Sequence, residues 1–242
     1  MQLENSNKHI IQNITVMKLA LTTFFLSSLT AARDFPIKIP EKCPEIQGSP
    51  KWSVDNYVGR WYNIANLPFF WMDGNNYCPW ANYTKWSQVD PTVEYDIRVV
   101  NSEIDYKIDQ RTYSVGNAYV NPYEPGTLDV AFGPVEPSPT GKNYQVIDTD
   151  NDNFSYVWDC DDICNSGACH HEPLMWILNR NPFVNQQEQV ENAMKVLAST
   201  GYDPTKVYES MIYSNQDGCE YDTTTDMPDD YHGPITIEMG DF

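Results

Sequence analysis

The sequence predicts an all-β domain: eight short antiparallel strands closing into a barrel or packing as a sandwich, followed by one α-helix. Three observations carry this. Apolar and polar residues alternate with period two from about residue 58 to 180, which marks strands with one face in a core and one in water. Turn residues separate these segments at hairpin spacing. Beyond them the apolar period changes to that of a helix.

Taken in order, Asp73-Gly74-Asn75-Asn76 and Asp90-Pro91 are the first turns. Val93, Tyr95, Ile97 and Val99 then alternate with Glu94, Asp96 and Arg98. Asn121-Pro122 and Glu124-Pro125-Gly126 lead into Leu128, Val130 and Phe132, and Pro137-Ser138-Pro139 ends that segment. Phe154, Tyr156 and Trp158 alternate with Ser155, Val157 and Asp159. Many strands carry Tyr or Trp where a packed sandwich favours Val or Leu, which points to a lined cavity. Asn185 is placed to cap the helix, with Glu188 three positions on. Val190, Ala193, Met194 and Leu197 form one apolar stripe, to be packed on the barrel. Gly201 stops the helix, with Pro204 just beyond.

The chain has 242 residues, and 34 Asp plus Glu against 15 Lys plus Arg give a net charge of −19. Such a chain repels phosphate backbones, so no nucleic-acid partner is expected. With 41% hydrophobic residues it has enough for a core, which excludes wholesale disorder. Met17-Lys18, the apolar run Leu19–Leu29 and the small residues Thr30-Ala31-Ala32 read as a secretion signal cut after Ala32. Residues 1–16 do not resemble a signal start, which makes Met17 the expected initiator and residues 1–16 an extension of the gene model. An uncleaved anchor is the alternative. The expected organisation is a signal over 1–32, a domain over 33–219 and an acidic disordered tail over 220–242.

All six cysteines (Cys43, Cys78, Cys160, Cys164, Cys169, Cys219) follow the signal, and an even count in an oxidising compartment favours disulfides, with the pairing open. The run Cys160 to His171 can be drawn as a metal site, but its spacing matches no usual zinc knuckle, so no metal is expected. Asn82-Tyr83-Thr84 and Asn153-Phe154-Ser155 are sequons, placing Asn82 and Asn153 on the outer surface if glycosylated.

The segment Tyr57-Val58-Gly59-Arg60-Trp61-Tyr62 carries the G-x-W-Y pattern with which the lipocalins open their first strand. Thr149-Asp150 follows where that family has T-D-Y, with Asn151 in place of the Tyr, and Arg180 stands in Trp176-Ile177-Leu178-Asn179-Arg180-Asn181-Pro182. All three occur in the family's order, so the chain resembles a lipocalin from roughly Cys43 to Cys219. Cys43-Pro44, the CPWANY stretch from Cys78 to Tyr83, the run into Cys160 and the final Cys219 make it most similar to the apolipoprotein D, bilin-binding and crustacyanin-type secreted lipocalins.

The resemblance implies an eight-stranded antiparallel up-and-down barrel with the helix packed outside. It implies the disulfides Cys43–Cys160 and Cys78–Cys219, leaving Cys164–Cys169. Gly59, Trp61 and Arg180 are then structural: Trp61 plugs the closed end and Arg180 stacks on its indole. Side chains alternate along a strand, so outward sequon asparagines put Tyr83 and Phe154, Tyr156 and Trp158 inside. Apolar parity adds Tyr95, Ile97, Tyr113, Val115, Leu128, Val130 and Phe132, and Trp176 shares a face with Leu178. These are the expected ligand-binding residues, about a third of them barrel floor. The apolar run Leu67–Met72 is expected at the mouth, as a lid or as a contact for a membrane or lipoprotein surface.

The function so implied is a secreted carrier of a small hydrophobic ligand of the lipid, retinoid, carotenoid or bilin class. The alternatives are an extracellular protein-interaction or pigment-complex subunit, suited by the acidic charge to a basic partner or cationic amine, and a lipocalin-type isomerase. For catalysis the residues offer little: no nucleophile elbow, HExxH or phosphate loop is present, His9 and His232 lie in the signal and tail, and His170 and His171 sit beside Cys169 in an expected loop. No enzyme activity, cofactor or catalytic residue is expected.

Overall fold

The computed structural model describes residues 37–39, 42–68, 74–165 and 168–221. The expected signal over 1–32, Phe69–Met72 of the apolar run and the expected tail beyond Tyr221 lie outside them. Eight of the described strands are β1 (Gly59–Asn66), β2 (Tyr77–Lys85), β3 (Ile97–Asp105), β4 (Gln110–Val120), β5 (Thr127–Phe132), β6 (Tyr144–Thr149), β7 (Phe154–Asn165) and β8 (Ala168–Asn179). Each is antiparallel to its neighbours in the order β2-β3-β4-β5-β6-β7-β8-β1, and pairing of β1 with β2 closes the barrel. Closure pairs the backbone groups that an open sheet would leave at its edges. A short β9 (Ile212–Tyr213) adds to the upper half of β1.

Two places depart from the alternation. Residues 93–96 are not strand, and β3 begins at Ile97. There Asp90 binds Thr92 and the Asp96 carboxylate accepts from the Val120 amide, so local side-chain bonds compete with the ladder. The β5–β6 pair is short, joined at Thr127 to Gln145 and Leu128 to Tyr144. Above it the Asn143 side chain takes over, accepting from Val130 N at 2.8 Å and donating to Val130 O at 2.9 Å.

The barrel's lower end is closed by α1 (Val54–Tyr57), and α2 (Trp86–Val89) follows β2. The long helix α3 (Gln186–Ser199) starts where Asn185 accepts from the Glu188 amide at 3.3 Å and ends before Gly201, whose φ is +87°. Its buried residues are Val190, Ala193, Met194 and Leu197, the stripe legible in the sequence. They pack on the outer face of the barrel, against Ile64, Ala65, Tyr156, Trp158, Met175 and Ile177. The short α4 (Thr205–Ser210) adds Val207 to the same cluster.

This outer core overturns one expectation. Phe154, Tyr156 and Trp158 point out of the barrel towards the helix cluster, not into the cup: Trp158 meets Tyr202 edge-on at 5.6 Å, and Tyr156 donates to Gln189. Asn153 lies in the turn before β7, so strand alternation does not extend from it to Phe154. The inward parity of β7 is Ser155, Val157 and Asp159. Tyr113 is likewise outside, packed with Trp80 and Val100.

Disulfides join Cys43 to Cys160, Cys78 to Cys219 and Cys164 to Cys169. The first two close long loops and tie both ends of the domain to the barrel, each limiting the unfolded chain by about 2–5 kcal/mol. The third bridges the β7–β8 hairpin. Bridged sulfurs cannot ligate a metal, and no metal-ligating cluster occurs among the described residues.

Candidate functional site

The site is built upward from the plug. Gly59 takes φ +101°, and a Cβ there would meet Arg180 Nη1 at 3.2 Å. Arg180 stacks 3.7 Å from the centroid of the Trp61 ring. Its Nη2 donates to the carbonyls of Asn56, Tyr57 and Val58 at 3.0 Å each, and Nη1 to Arg60 O at 2.7 Å. One guanidinium thus satisfies the carbonyls that the end of α1 leaves orphaned. Trp61 donates its indole N–H to Tyr57 O at 2.8 Å. Asn151, the departure from T-D-Y, turns the chain between β6 and β7 at φ +66°. Its side chain donates to Lys51 O and accepts from Ser53 N, a left-handed position that asparagine tolerates.

Above the plug lies a layer of hydroxyls. Tyr144 is hydrogen-bonded to Tyr57 at 2.9 Å and to Tyr83 at 2.7 Å, and Tyr57 reaches Ser155 at 3.1 Å. Burial pushes the Tyr57 hydroxyl up to about 12 and holds Tyr83 and Tyr144 well above the ordinary value, so the layer is neutral.

On this floor stands a cavity of about 390 Å³. That volume lies in the range of small-molecule sites, roughly 300–1,000 Å³. Val99, Val130, Ala131, Phe132, Leu174, Trp176 and Leu178 supply its apolar wall, with Tyr83 and Tyr144 below. Asn63, Asn101, Ser102, Thr112, Ser114 and Asn143 add polar groups, and Glu103, Asp129, Glu136 and Asp159 add acids. Asp129 accepts from the Ser138 amide, and Glu136 accepts from Tyr95 OH. Asp159 is pushed up to about 7, chiefly by burial and then by Asp161.

Of the expected ligand-binding residues, the structure places Tyr83, Val130, Phe132 and Trp176 on the cavity wall. Ile97 and Leu128 face inward but lie beneath it, packed with Trp61 and Tyr57. Tyr95 stacks edge-on with Tyr119, outside the wall; it precedes β3 and so does not follow that strand's parity. Val99, Tyr144 and Leu178 were within reach of sequence reasoning, through strand parity shared with Ile97, Val146 and Trp176. Asp159 was not, because nothing in a sequence distinguishes a strand acid facing a cavity from one facing water.

The remaining expected features are placed as follows. Asn82 alternates to the face opposite Tyr83 but is only 2% exposed, with its Nδ2 donated to Thr84, so the open surface expected for a glycan is not there. Asn153 is exposed. His170 and His171 sit in β8, not in a loop: His170 pairs with Glu172 at 2.9 Å, and buried His171 bonds Tyr202 OH at 3.0 Å. No helix among the described residues is long and apolar enough to cross a membrane.

Comparison with known proteins agrees with this geometry. A family model described as a lipocalin-like domain matches residues 53–211. Apolipoprotein D of Mus musculus is 29% identical over 178 residues, covering 74% of this chain and 84% of that protein. The bilin-binding protein of Pieris brassicae is 24% identical over 191 residues, covering 78% and 91%. Among solved structures, insecticyanin from the tobacco hornworm Manduca sexta superposes with a TM-score of 0.58 at 21% identity, covering 76% of this chain and 90% of that one.

Proposed function

The chain belongs to the lipocalin-like family, and on that premise we propose that it is a secreted carrier holding one small hydrophobic molecule in its barrel. The cavity carries this reading: an apolar wall of Val99, Val130, Phe132, Trp176 and Leu178 over a neutral floor, inside a closed barrel. Binding is driven by removal of ligand surface from water, at about 25 cal/mol per Å² of apolar area. A few polar groups then set orientation. The ligand class is lipid, retinoid, carotenoid or bilin; a relative bears the name bilin-binding protein. Secretion is supported by the signal-like segment before Arg33 and by three disulfides, which suit an oxidising compartment. Asn153, exposed in its turn, is the glycan site that fits this reading. We assign no catalytic residue.

The experiment is native mass spectrometry of the protein from a secreting host after exposure to an extract of its source. A stoichiometric apolar molecule, released unchanged on denaturation, is the expected result. An empty barrel would remove the reading, and a chemically altered product would move it towards an enzyme. The apolar run Leu67–Met72 belongs to the same reading as a surface for exchange with a membrane or lipoprotein. Phe70→Ser with Trp71→Ser is expected to weaken co-flotation with liposomes, and unchanged flotation would discard that contact.

A further inference from the structure

The cavity has charge of one sign. Four acids line it, and no lysine, arginine or histidine does so among the described residues. Asp159 stands apart from the other three. It projects inward from β7, is 7% exposed, and no described side chain hydrogen-bonds its carboxylate. The described group that eases its charge is the Cys160 amide. The titratable groups near it are Asp161 on its own strand, Asp129 on β5 and Glu136 beyond β5. Tyr144 on β6 is neutral, and the residue paired with Asp159 on β8 is Leu174. None is a cation. Asn63 lines the same cavity and is 7% exposed, and its Oδ1 accepts no hydrogen bond.

A carboxylate taken out of water without a counter-charge is unfavourable, and a buried acceptor without a donor is too. Both are relieved by a ligand that brings a positive charge with N–H donors. The same lining disfavours a fatty-acid carboxylate, whose charge would share the cavity with four acids and no cation among the described residues. We propose that the cargo is an amphipathic amine, with its apolar body against the barrel wall and its protonated nitrogen held by Asp159. This deepens the carrier reading and rests on it.

The test compares three probes of one chain length, dodecylamine, dodecan-1-ol and dodecanoic acid. Each is titrated into the full secreted protein at pH 8, below its solubility or micelle limit, and followed by calorimetry. The amine is expected to bind at least about tenfold tighter than the alcohol, a gap of about 1.4 kcal/mol, with the acid weakest. Asp159→Asn is expected to abolish the amine's advantage over the alcohol. Equal affinity for amine and alcohol, or tightest binding of the acid, would overturn the amine while leaving the carrier standing. If none of the three binds, the amine is overturned, and the carrier reading is decided by the native mass spectrometry. The ranking on the unaltered protein decides the matter even where the variant fails to fold.

Discussion

Replacing Trp61 with alanine is expected to destabilise the folded barrel by about 3–5 kcal/mol, the cost typical of deleting a buried indole. The ring is fully buried at the floor of the barrel, in contact with Tyr57 and with the Arg180 guanidinium. Its loss opens a cavity under the hydroxyl layer and removes the surface on which Arg180 rests. Arg180→Lys is expected to lose much of the same stability, because a single ammonium cannot span the four backbone carbonyls of Asn56, Tyr57, Val58 and Arg60. Denaturant unfolding with the disulfides intact measures both. A loss under about 1 kcal/mol for Trp61→Ala would show that the plug is not what closes the barrel. Ligand affinity of the fraction still folded is expected to change little, since Trp61 does not line the cavity.

Asp159→Asn is expected to act in the opposite direction. The Asp159 carboxyl is raised from 3.8 to about 7 in the folded protein. Between those values the folded state holds a proton that the unfolded chain releases, so stability falls as pH rises through this window and levels off above about pH 7. The variant removes that slope. It is expected to match the parent near pH 3.5 and to exceed it by about 2–4 kcal/mol at pH 8, several degrees in Tm for a domain of this size. Asp161, also raised chiefly by burial, adds a slope of the same sign to both proteins. Equal Tm differences at pH 4.5 and pH 8 would refute the assignment. A residue that lowers the stability of the empty protein while facing its cavity has its natural explanation in the occupant.

The fold was legible because its signals are local. Asn185, the four-residue stripe of α3 and Gly201 specify a helix with its ends and buried face, and each does so within one or two turns of chain. The hairpin turns and alternation marked the strands in the same way. The site was legible in part. Tyr83, Val130, Phe132 and Trp176 follow from strand parity, whereas Phe154, Tyr156 and Trp158 were turned the wrong way by it.

The sequence by itself determined that this chain is an antiparallel β domain with one packed helix, acidic, disulfide-bearing and similar to the lipocalins from roughly Cys43 to Cys219. Only the tertiary structure decided which face of each strand is the inside. Period two states that two faces differ; it names the interior only when the other face meets water. On β7 the helix covers the outer face, so Tyr156 and Trp158 go to the helix cluster and the inward row is left with Ser155, Val157 and Asp159. That choice put a carboxylate into the cavity, and it depends on what packs behind the strand, at a distance in sequence that no local pattern records.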